Sequence, residues 1–465
     1  MIPSSGILSQ GQAVGISTKF NRDYLSQKES LYSSALGLTS IRHQYALQWF
    51  GTFDAAYTVS EGTEETPMNA QVGVNKQFLL GDGILIGAGL AVDWTRFLTG
   101  DPDASLGSVL SSTLEAPLLG NGAGKVAREN LTQAERNVLY NIRSFNRYRK
   151  TFVVSTISDY YRVLQQKASV VIQKASYQRL IDSTNQLRME VEVGKRPAYD
   201  LAEAEQRLLT SEQNVVSAVQ NYEQALDFFK IKLALPTDVE IQLDPNELII
   251  LDTIGISQPD YSAEDAIQMA LVRRLDLANV RDEVDDAERK LILASEGLGP
   301  QMDFIASANV ESTPDTEATR LRFHEGTYSM GVAVDLPFDR LNERNTYRQA
   351  LISVRKRQRD YDEEIDTVKL QIRASYRNLV ETAESYRIQK IGLELAKKRV
   401  EVEKLSLQYG RGTVRLLLDS EDALVEAQDD VVSALVDHTI AKLNFFRDVG
   451  ILQVLPDGMW EQEKI

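Results

Sequence analysis

Two long stretches of the chain contain almost no residue that breaks a helix. Lys125–Val193 has neither glycine nor proline, and Phe338–Tyr409 is interrupted only by Gly392. Because both residues destabilise a helix interior, each stretch predicts a helix of about 100 Å at ~1.5 Å per residue. A short break and a second breaker-free segment follow each stretch, Ala198–Leu235 and Thr413–Val449. We therefore expect two long helical hairpins.

The second arms of the two hairpins carry the same heptad pattern. Their apolar and small residues alternate in steps of three and four, which is typical of helices that pack closely as a coiled coil. Each position recurs 216 residues later, and the turn glycines Gly194 and Gly410 have the same offset, as do Tyr160 and Tyr376. The pattern indicates an internal duplication. The first arm contributes Leu201, Ala204, Leu208, Ser211, Val215, Ala218, Tyr222, Ala225 and Phe229; the second contributes Leu417, Ser420, Leu424, Ala427, Val431, Ala434, His438, Ala441 and Phe445.

Segments that alternate between apolar and polar residues precede each long helix. In the second copy these are Met302–Ser312 and Thr327–Pro337, and in the first Gly51–Ser60 and Ser108–Leu118. This alternation predicts strands with one apolar face. The first copy holds an insertion, Met68–Phe97, which alternates on both sides of a possible turn at Gly81–Gly83 and predicts an additional hairpin.

These patterns divide the chain into two repeats. The first repeat, 1–245, has a helix near Asn21–Leu38, a β region at 50–119 with the inserted hairpin at 68–97, and the helical hairpin 125–235. A linker at 246–262 follows; the overlapping Pro236–Pro259 stretch lacks helical periodicity, and we expect it to be irregular or a short strand. The second repeat, 263–455, has a helix near Ala263–Ser295, strands within 302–337 and the hairpin 338–449, before a tail at 456–465.

Composition argues against several functional classes. The net charge of −16 is unfavourable for binding nucleic acid, which requires clustered basic residues. The chain has no cysteine and three widely separated histidines, so we expect neither a metal site nor a cofactor nor an enzyme active site. The glycine-rich segment Gly120–Lys125 resembles a phosphate-binding loop but is one residue short, and Val126 replaces the magnesium-binding hydroxyl residue. A strand-to-helix turn is the better interpretation.

Acidic residues follow both hairpin turns. Asp200 and Glu203 lie shortly after Gly194, and Asp419 lies shortly after Gly410 and Gly412. An acid in the first turn of a helix stabilises the helix dipole, and this explanation is sufficient for Asp200. If several hairpins converge on an axis, the same acids form rings that attract cations. The residues alone favour the first interpretation.

The combination of these features resembles the TolC-like outer-membrane efflux proteins. Their repeats carry Val-Gly or Tyr-Gly followed by acids six and nine residues on. Val193-Gly194 with Asp200 and Glu203 matches this motif fully; Tyr409-Gly410 matches with Asp419, but Leu416 replaces one acid. Arg274–Ala278 and Leu336-Pro337 resemble the helix start and the strand-to-helix junction of the family.

The resemblance implies a mainly α-helical fold with a β-barrel portion. Three protomers would each give four strands to one outer-membrane barrel of twelve and would form a helical tube in the periplasm. Phe53, Tyr57, Phe304, Tyr328 and Val332 would face lipid, with Trp49 and Trp94 as interfacial anchors. The insertion would join the barrel or, as we favour, extend the sheet outside the membrane.

The implied function is a passive exit duct of a tripartite efflux or type I secretion system. Asp200, Glu203 and Asp419 would form acidic constrictions at the periplasmic aperture, and Gly194, Gly410 and Gly412 would contact the helical hairpins of a periplasmic adaptor. An inner-membrane pump of the RND or ABC type would supply the energy. The alternative is a soluble coiled-coil scaffold, which has no need of the alternating strands. The first residues lack a basic start and an apolar core, so we expect the signal peptide to lie upstream of this chain.

Overall fold

The computed structural model describes residues 6–60, 63–78, 84–97, 104–119, 123–256, 262–313, 317–336, 338–454 and 460–462. The predicted turn at Gly81–Gly83, the glycine-rich segment at 120–122 and most of the tail lie outside these ranges. The helices are α1 (Gln10–Phe20), α2 (Arg22–Gln44), α3 (Ala123–Glu192), α4 (Ala198–Lys232), α5 (Asn246–Ile254), α6 (Ala263–Arg273), α7 (Leu275–Glu296), α8 (Leu341–Gln408) and α9 (Val414–Val449).

The strands are concentrated between α2 and α3 and between α7 and α8. A short 3-10 helix, Phe323–Glu325, precedes the last strand of the second group. The strands are β1 (Ile7–Leu8), β2 (Gln48–Ala55), β3 (Thr58–Ser60), β4 (Thr63–Phe78), β5 (Ile84–Phe97), β6 (Ala104–Leu119), β7 (Gln242–Leu243), β8 (Gln301–Thr313), β9 (Glu317–Leu321), β10 (Thr327–Asp335), β11 (Leu452–Val454) and β12 (Trp460–Gln462).

Both predicted helical hairpins are confirmed, as α3 with α4 and α8 with α9. The Pro236–Pro259 stretch contains a short strand, β7, as expected, but also the helix α5, which the prediction missed. The single helix expected over Ala263–Ser295 is broken at Arg274, whose backbone is extended. The reason lies in its side chain, which is buried and donates hydrogen bonds to Asp276 and to Gln371 Oε1 at 2.7 Å. These contacts position Arg274 between α6 and α7.

The chain forms two compact units, and each takes residues from both sequence repeats. The first unit comprises Met1–Glu29, Ser144–Leu277 and Glu364–Ile465, and the second comprises Ser30–Arg143 and Ala278–Glu363. Among the described helices, none offers an apolar stretch long enough to cross a membrane.

The main hydrophobic core of the first unit repeats the duplication in three dimensions. Tyr160 of α3 meets Phe229 of α4 edge-on, with ring centroids 6.1 Å apart. Tyr376 of α8 meets Phe445 of α9 in the same way at 6.0 Å, and each residue of this pair lies 216 residues after its equivalent in the first pair. The Tyr160 hydroxyl also donates to the carbonyl oxygen of Leu8 at 3.0 Å, beside the parallel pair β1–β7. Equivalent residues of the two repeats therefore make equivalent contacts.

An ionic cluster joins α3 to α7 in the second unit. Arg136 Nε and Arg289 Nη2 contact Asp286 Oδ1 at 2.5 and 2.8 Å, and the Tyr140 hydroxyl donates to Asp286 Oδ2 at 2.6 Å. Burial, together with the hydrogen bond to Asp286, raises the pKa of Tyr140 to about 12. Because the Asp286 carboxylate is buried but has two cations and a hydroxyl as partners, its desolvation is compensated.

The sheet of the second unit contradicts our preferred location for the insertion. Its strand order is β10-β8-β6-β5-β4-β2, with β3 beside β4 and β9 beside β8. The inserted strands β4 and β5 therefore lie inside the sheet, between β2 and β6, and do not extend it from outside. The order contains six strands, where the family resemblance implied four per protomer.

The pairing register gives the sheet an apolar face and a polar face. Because directly paired residues share a face, one row across the sheet reads Trp49, Val74, Ala88, Ser112, Ala308 and Tyr328. The adjacent row on the opposite face reads Gln48, Asn75, Gly87, Thr113, Ser307 and Ser329. Trp49, Phe53, Tyr328 and Val332 are all more than half exposed. Of Trp94 only the backbone position is described.

Candidate functional site at the hairpin turns

The first hairpin turn is a Schellman motif centred on Gly194. This residue has φ +72°, a left-handed conformation that glycine adopts without strain. The Gly194 N–H donates to the carbonyl of Val191 at 2.9 Å, and the Lys195 N–H donates to the carbonyl of Glu190 at 2.9 Å. These two bonds satisfy carbonyl groups that the end of α3 leaves without helical partners.

The second hairpin turn has the same construction. Gly410 also has φ +72°, its N–H donates to Leu407 O at 3.2 Å, and the Arg411 N–H donates to Ser406 O at 2.9 Å. Gly412 adds a bond to Ser406 O at 3.0 Å. A Cβ atom at Gly412 would lie 3.0 Å from Leu407 N, so the close return of the chain favours glycine here.

The two turns differ at the position that Gly412 occupies, because its equivalent 216 residues earlier is Arg196. The Arg196 guanidinium is largely buried, and its Nη2 donates to the carbonyl oxygen of Leu407 at 2.8 Å. Its Nε contacts Glu190 Oε2 at 3.2 Å. Arg196 thereby connects the first turn to the end of α8, where a cation also interacts favourably with the helix dipole. Sequence analysis missed this residue, although the Arg–Gly difference between otherwise matching turns was visible.

Asp200 lies in the first turn of α4 and is 7% exposed. Its Oδ2 is 3.9 Å from Nη1 of Arg196, which places a charge partner beside the buried carboxylate. Glu203, one turn further on, is half-buried. The surroundings of Asp200 agree with the structural role at a helix N-terminus that the residues alone favoured. A contribution of Asp200 and Glu203 to a constriction stays a prediction.

Asp419 belongs to an acidic row on α9 that faces α4. Arg207 Nη2 of α4 contacts Asp419 Oδ1 at 2.9 Å and Asp422 Oδ2 at 3.1 Å. Asp422, Glu426 and Asp429 continue the row at helical spacing. Sequence analysis identified only Asp419, although the spacing of three and four residues would have revealed the others.

Comparison with known proteins identifies a family domain in the second repeat. Residues 266–447 match the family model for outer membrane efflux proteins. The second repeat therefore contains an outer membrane efflux protein domain. No curated protein matches the sequence.

Solved outer membrane channels have a fold similar to that of this chain. It resembles the Campylobacter jejuni CmeC channel with 13% identity and a TM-score of 0.67, covering 98% of this chain and 87% of that one. The Vibrio cholerae outer membrane protein VceC has 11% identity and a TM-score of 0.69, covering 95% of this chain and 96% of that one. The open state of the Neisseria gonorrhoeae MtrE channel has 11% identity and a TM-score of 0.69, covering 95% of this chain and 88% of that one.

Burial shifts the pKa values of two carboxyl groups in the acidic row. It raises the pKa of the Asp422 carboxyl, an effect that Arg207 opposes and Asp419 reinforces. Burial likewise raises the pKa of Asp429, while hydrogen bonds from Ser169 and Gln173 lower it. Within the described ranges, no three histidine or acidic side chains are placed to hold a metal ion. The row therefore holds closely spaced carboxylates with Arg207 as a nearby cation.

Proposed function

We propose that the protein is the outer-membrane channel of a tripartite efflux or type I secretion system, through which substrates leave passively. The observation that carries this proposal is the sheet with two different faces. Trp49, Phe53 and Tyr328 are exposed on one face, whereas the row through Asn75 and Ser307 on the other is polar and small. A wall between lipid and an aqueous lumen requires this combination, and a soluble scaffold does not.

Assembly into a homotrimer is supported by an exposed apolar row along α8. The row has heptad spacing and is exposed in the single chain; it comprises Ile388, Ile391, Leu395, Val402 and Leu405 of α8, and Tyr409 directly after the helix. On α4, Tyr199, Leu209 and Val216 form a comparable exposed row. Exposed apolar rows at coiled-coil spacing are stabilised by a neighbouring helix. Packing of α8 against α4 of the next protomer would bury both rows.

The turns at Gly194 and Gly410–Gly412 are proposed as the periplasmic end of the channel, where helical hairpins of an adaptor protein bind. The Schellman motifs make both turns compact and well defined, as a docking surface requires. The adaptor would connect the channel to an inner-membrane pump of the RND or ABC type, which supplies the energy. The protein would therefore reside in the outer membrane and extend into the periplasm.

The acidic row at Asp419 is proposed to make the aperture cation-selective. In planar bilayers the purified protein should prefer cations. Asp419→Asn should lower the ratio of cation to anion permeability by a factor of about five, since one negative charge within ~8 Å in water lowers the energy of a cation and raises that of an anion by roughly 0.5 kcal/mol each. Arg207→Gln should raise the ratio, because it removes the cation beside the same carboxylates.

The matched control is Asp366→Asn, since the Asp366 side chain is 80% exposed and pairs with Lys369. This variant should leave selectivity unchanged. Equal selectivity in all four proteins would contradict the acidic aperture. Recovery of the protein in the soluble fraction, with no detergent-dependent extraction from outer membranes, would contradict the channel itself and support the coiled-coil scaffold.

A further inference from the structure

The two edges of the sheet are complementary in direction. Every neighbouring pair in the order β10-β8-β6-β5-β4-β2 is antiparallel, so β2 and β10 run in opposite directions at opposite edges. All nine residues of β10 are exposed, and β2 is mostly exposed. An edge strand presents unpaired N–H and C=O groups that favour pairing with another chain. Strand β2 of one protomer can therefore continue the antiparallel pattern onto β10 of the next.

The inserted strands are part of the same wall as the others. β4 pairs with β5 over fourteen residues and β5 with β6 over twelve, with the pairs unbroken in both cases. The apolar face continues through them at Val72, Ile86 and Leu90, which are exposed. Since both edges of the β4–β5 hairpin are occupied, by β2 and by β6, the hairpin lengthens the circumference of the sheet and adds no height to it.

The polar face also continues through the inserted strands, where glycines leave space for side chains of neighbouring strands. A Cβ at Gly73 would lie 2.3 Å from the Phe50 ring, and one at Gly87 would lie 2.8 Å from Asn75 Oδ1 and 2.9 Å from Thr113 Oγ1. Side chains of neighbouring strands therefore cross over both glycines. This interlocking across β2, β4, β5 and β6 ties the inserted strands to the strands on either side of them.

We propose that three copies of this chain close their sheets into one ring of eighteen strands, six from each protomer, through pairing of β2 with β10 of the next copy. This inference rests on the proposed trimeric channel and deepens it. The ring is larger than the twelve strands that the family resemblance implied. Because diameter grows roughly linearly with strand number, the membrane section is about 1.5 times wider than a twelve-stranded ring. Rings of 16–18 strands enclose an aqueous channel, so the membrane section admits bulkier cargo.

The experiment replaces residues 56–105 with Asn-Gly, which removes β4 and β5 together with the short strand β3. In the observed pairing Ala55 lies opposite Met68, Met68 lies opposite Trp94, and Trp94 lies opposite Leu106. Ala55 and Leu106 are therefore at the same position along the strands, and a two-residue turn joins β2 to β6 with each side chain on its original face. The chain has no cysteine, so Glu311→Cys on β8 gives one spin label per protomer in both the parent and the deletion variant. Pulsed electron resonance then measures the distance between labels in the detergent-solubilised oligomer.

The expected result is a label distance in the deletion variant of about two-thirds of the parental distance, as for twelve strands against eighteen. An unchanged distance in two trimeric proteins overturns the ring of eighteen and leaves the channel proposal intact. Native mass spectrometry that finds no trimer of the parent contradicts the proposed function itself. If the deletion variant fails to fold, electron cryomicroscopy of the parental trimer decides directly: eighteen strands support the inference, and twelve overturn it.

Discussion

Arg196 in the first hairpin turn donates a hydrogen bond to the carbonyl oxygen of Leu407 in the second hairpin, with Nη2 and O 2.8 Å apart. The same carbonyl accepts the Gly410 N–H of the Schellman motif at 3.2 Å. The Leu407 carbonyl oxygen thus takes part both in the turn of the second hairpin and in the contact with the first hairpin. Any motion that separates the two turns breaks the Arg196 bond, so this contact sets part of the free energy of separation.

Replacing Arg196 should loosen the connection between the turns. Arg196→Ala removes a charge-assisted hydrogen bond worth about 1.5–3 kcal/mol and leaves the buried Asp200 carboxylate without its neighbouring cation. Faster hydrogen exchange at the Arg411 amide and a higher single-channel conductance are expected. Arg188→Ala is the control, because Arg188 pairs with Glu205 and both side chains are about half exposed. Equal exchange rates in the two variants would show that the contact does not hold the turns.

The turn glycines should be sensitive to a single methyl group. Gly194→Ala and Gly410→Ala each place a Cβ at φ +72°, which costs about 1–2 kcal/mol. Both variants should melt at lower temperature, as followed by circular dichroism at 222 nm. Gly37→Ala, at an exposed position inside α2, should instead stabilise the helix by about 0.5–1 kcal/mol. Stabilisation by all three changes would argue against the left-handed turns.

His438 should make stability depend on pH. Burial lowers its pKa to about 4, assisted by the nearby Lys442, while the backbone of Leu379 opposes the shift and Thr382 Oγ1 lies 3.4 Å from Nδ1. The unfolded chain takes up a proton near pH 6.5, but the folded chain keeps this ring neutral to pH about 4. The stabilisation is therefore complete above pH 6.5 and is lost as pH falls toward 4, by up to about 3 kcal/mol.

The matching variant is His438→Gln. Between pH 4 and 7 its unfolding midpoint should change less than that of the parent, with the difference confined to the window below pH 6.5. Aspartates such as Asp429 titrate in both proteins and cancel in this difference. Parallel curves for parent and variant would show that His438 takes up no additional proton on unfolding.

The duplication, the long helices and the turn glycines could be predicted because they depend on interactions close in sequence. Helix termination at Gly194 and Gly410 requires partners within five residues, and the heptad row from Leu201 to Phe229 reflects one helix face. The breaks at Asn21 and Arg274 were less visible. At both breaks a local contact, between Asn21 and the Tyr24 N–H or between Arg274 and Asp276, is combined with one distant in sequence. The distant partners are Lys232 O and Gln371 Oε1.

The sequence by itself determined the two repeated helical hairpins, their turns and the alternation of the strands, since backbone hydrogen bonds and side-chain periodicity within one element are local. Only the tertiary structure decided which strands are neighbours, and it placed the insertion inside the sheet. It also decided that Arg196 reaches Leu407 and that Asp200 is buried. Strand order and cross-hairpin contacts join residues far apart in the chain, and alternation fixes the face of a strand but not its partner.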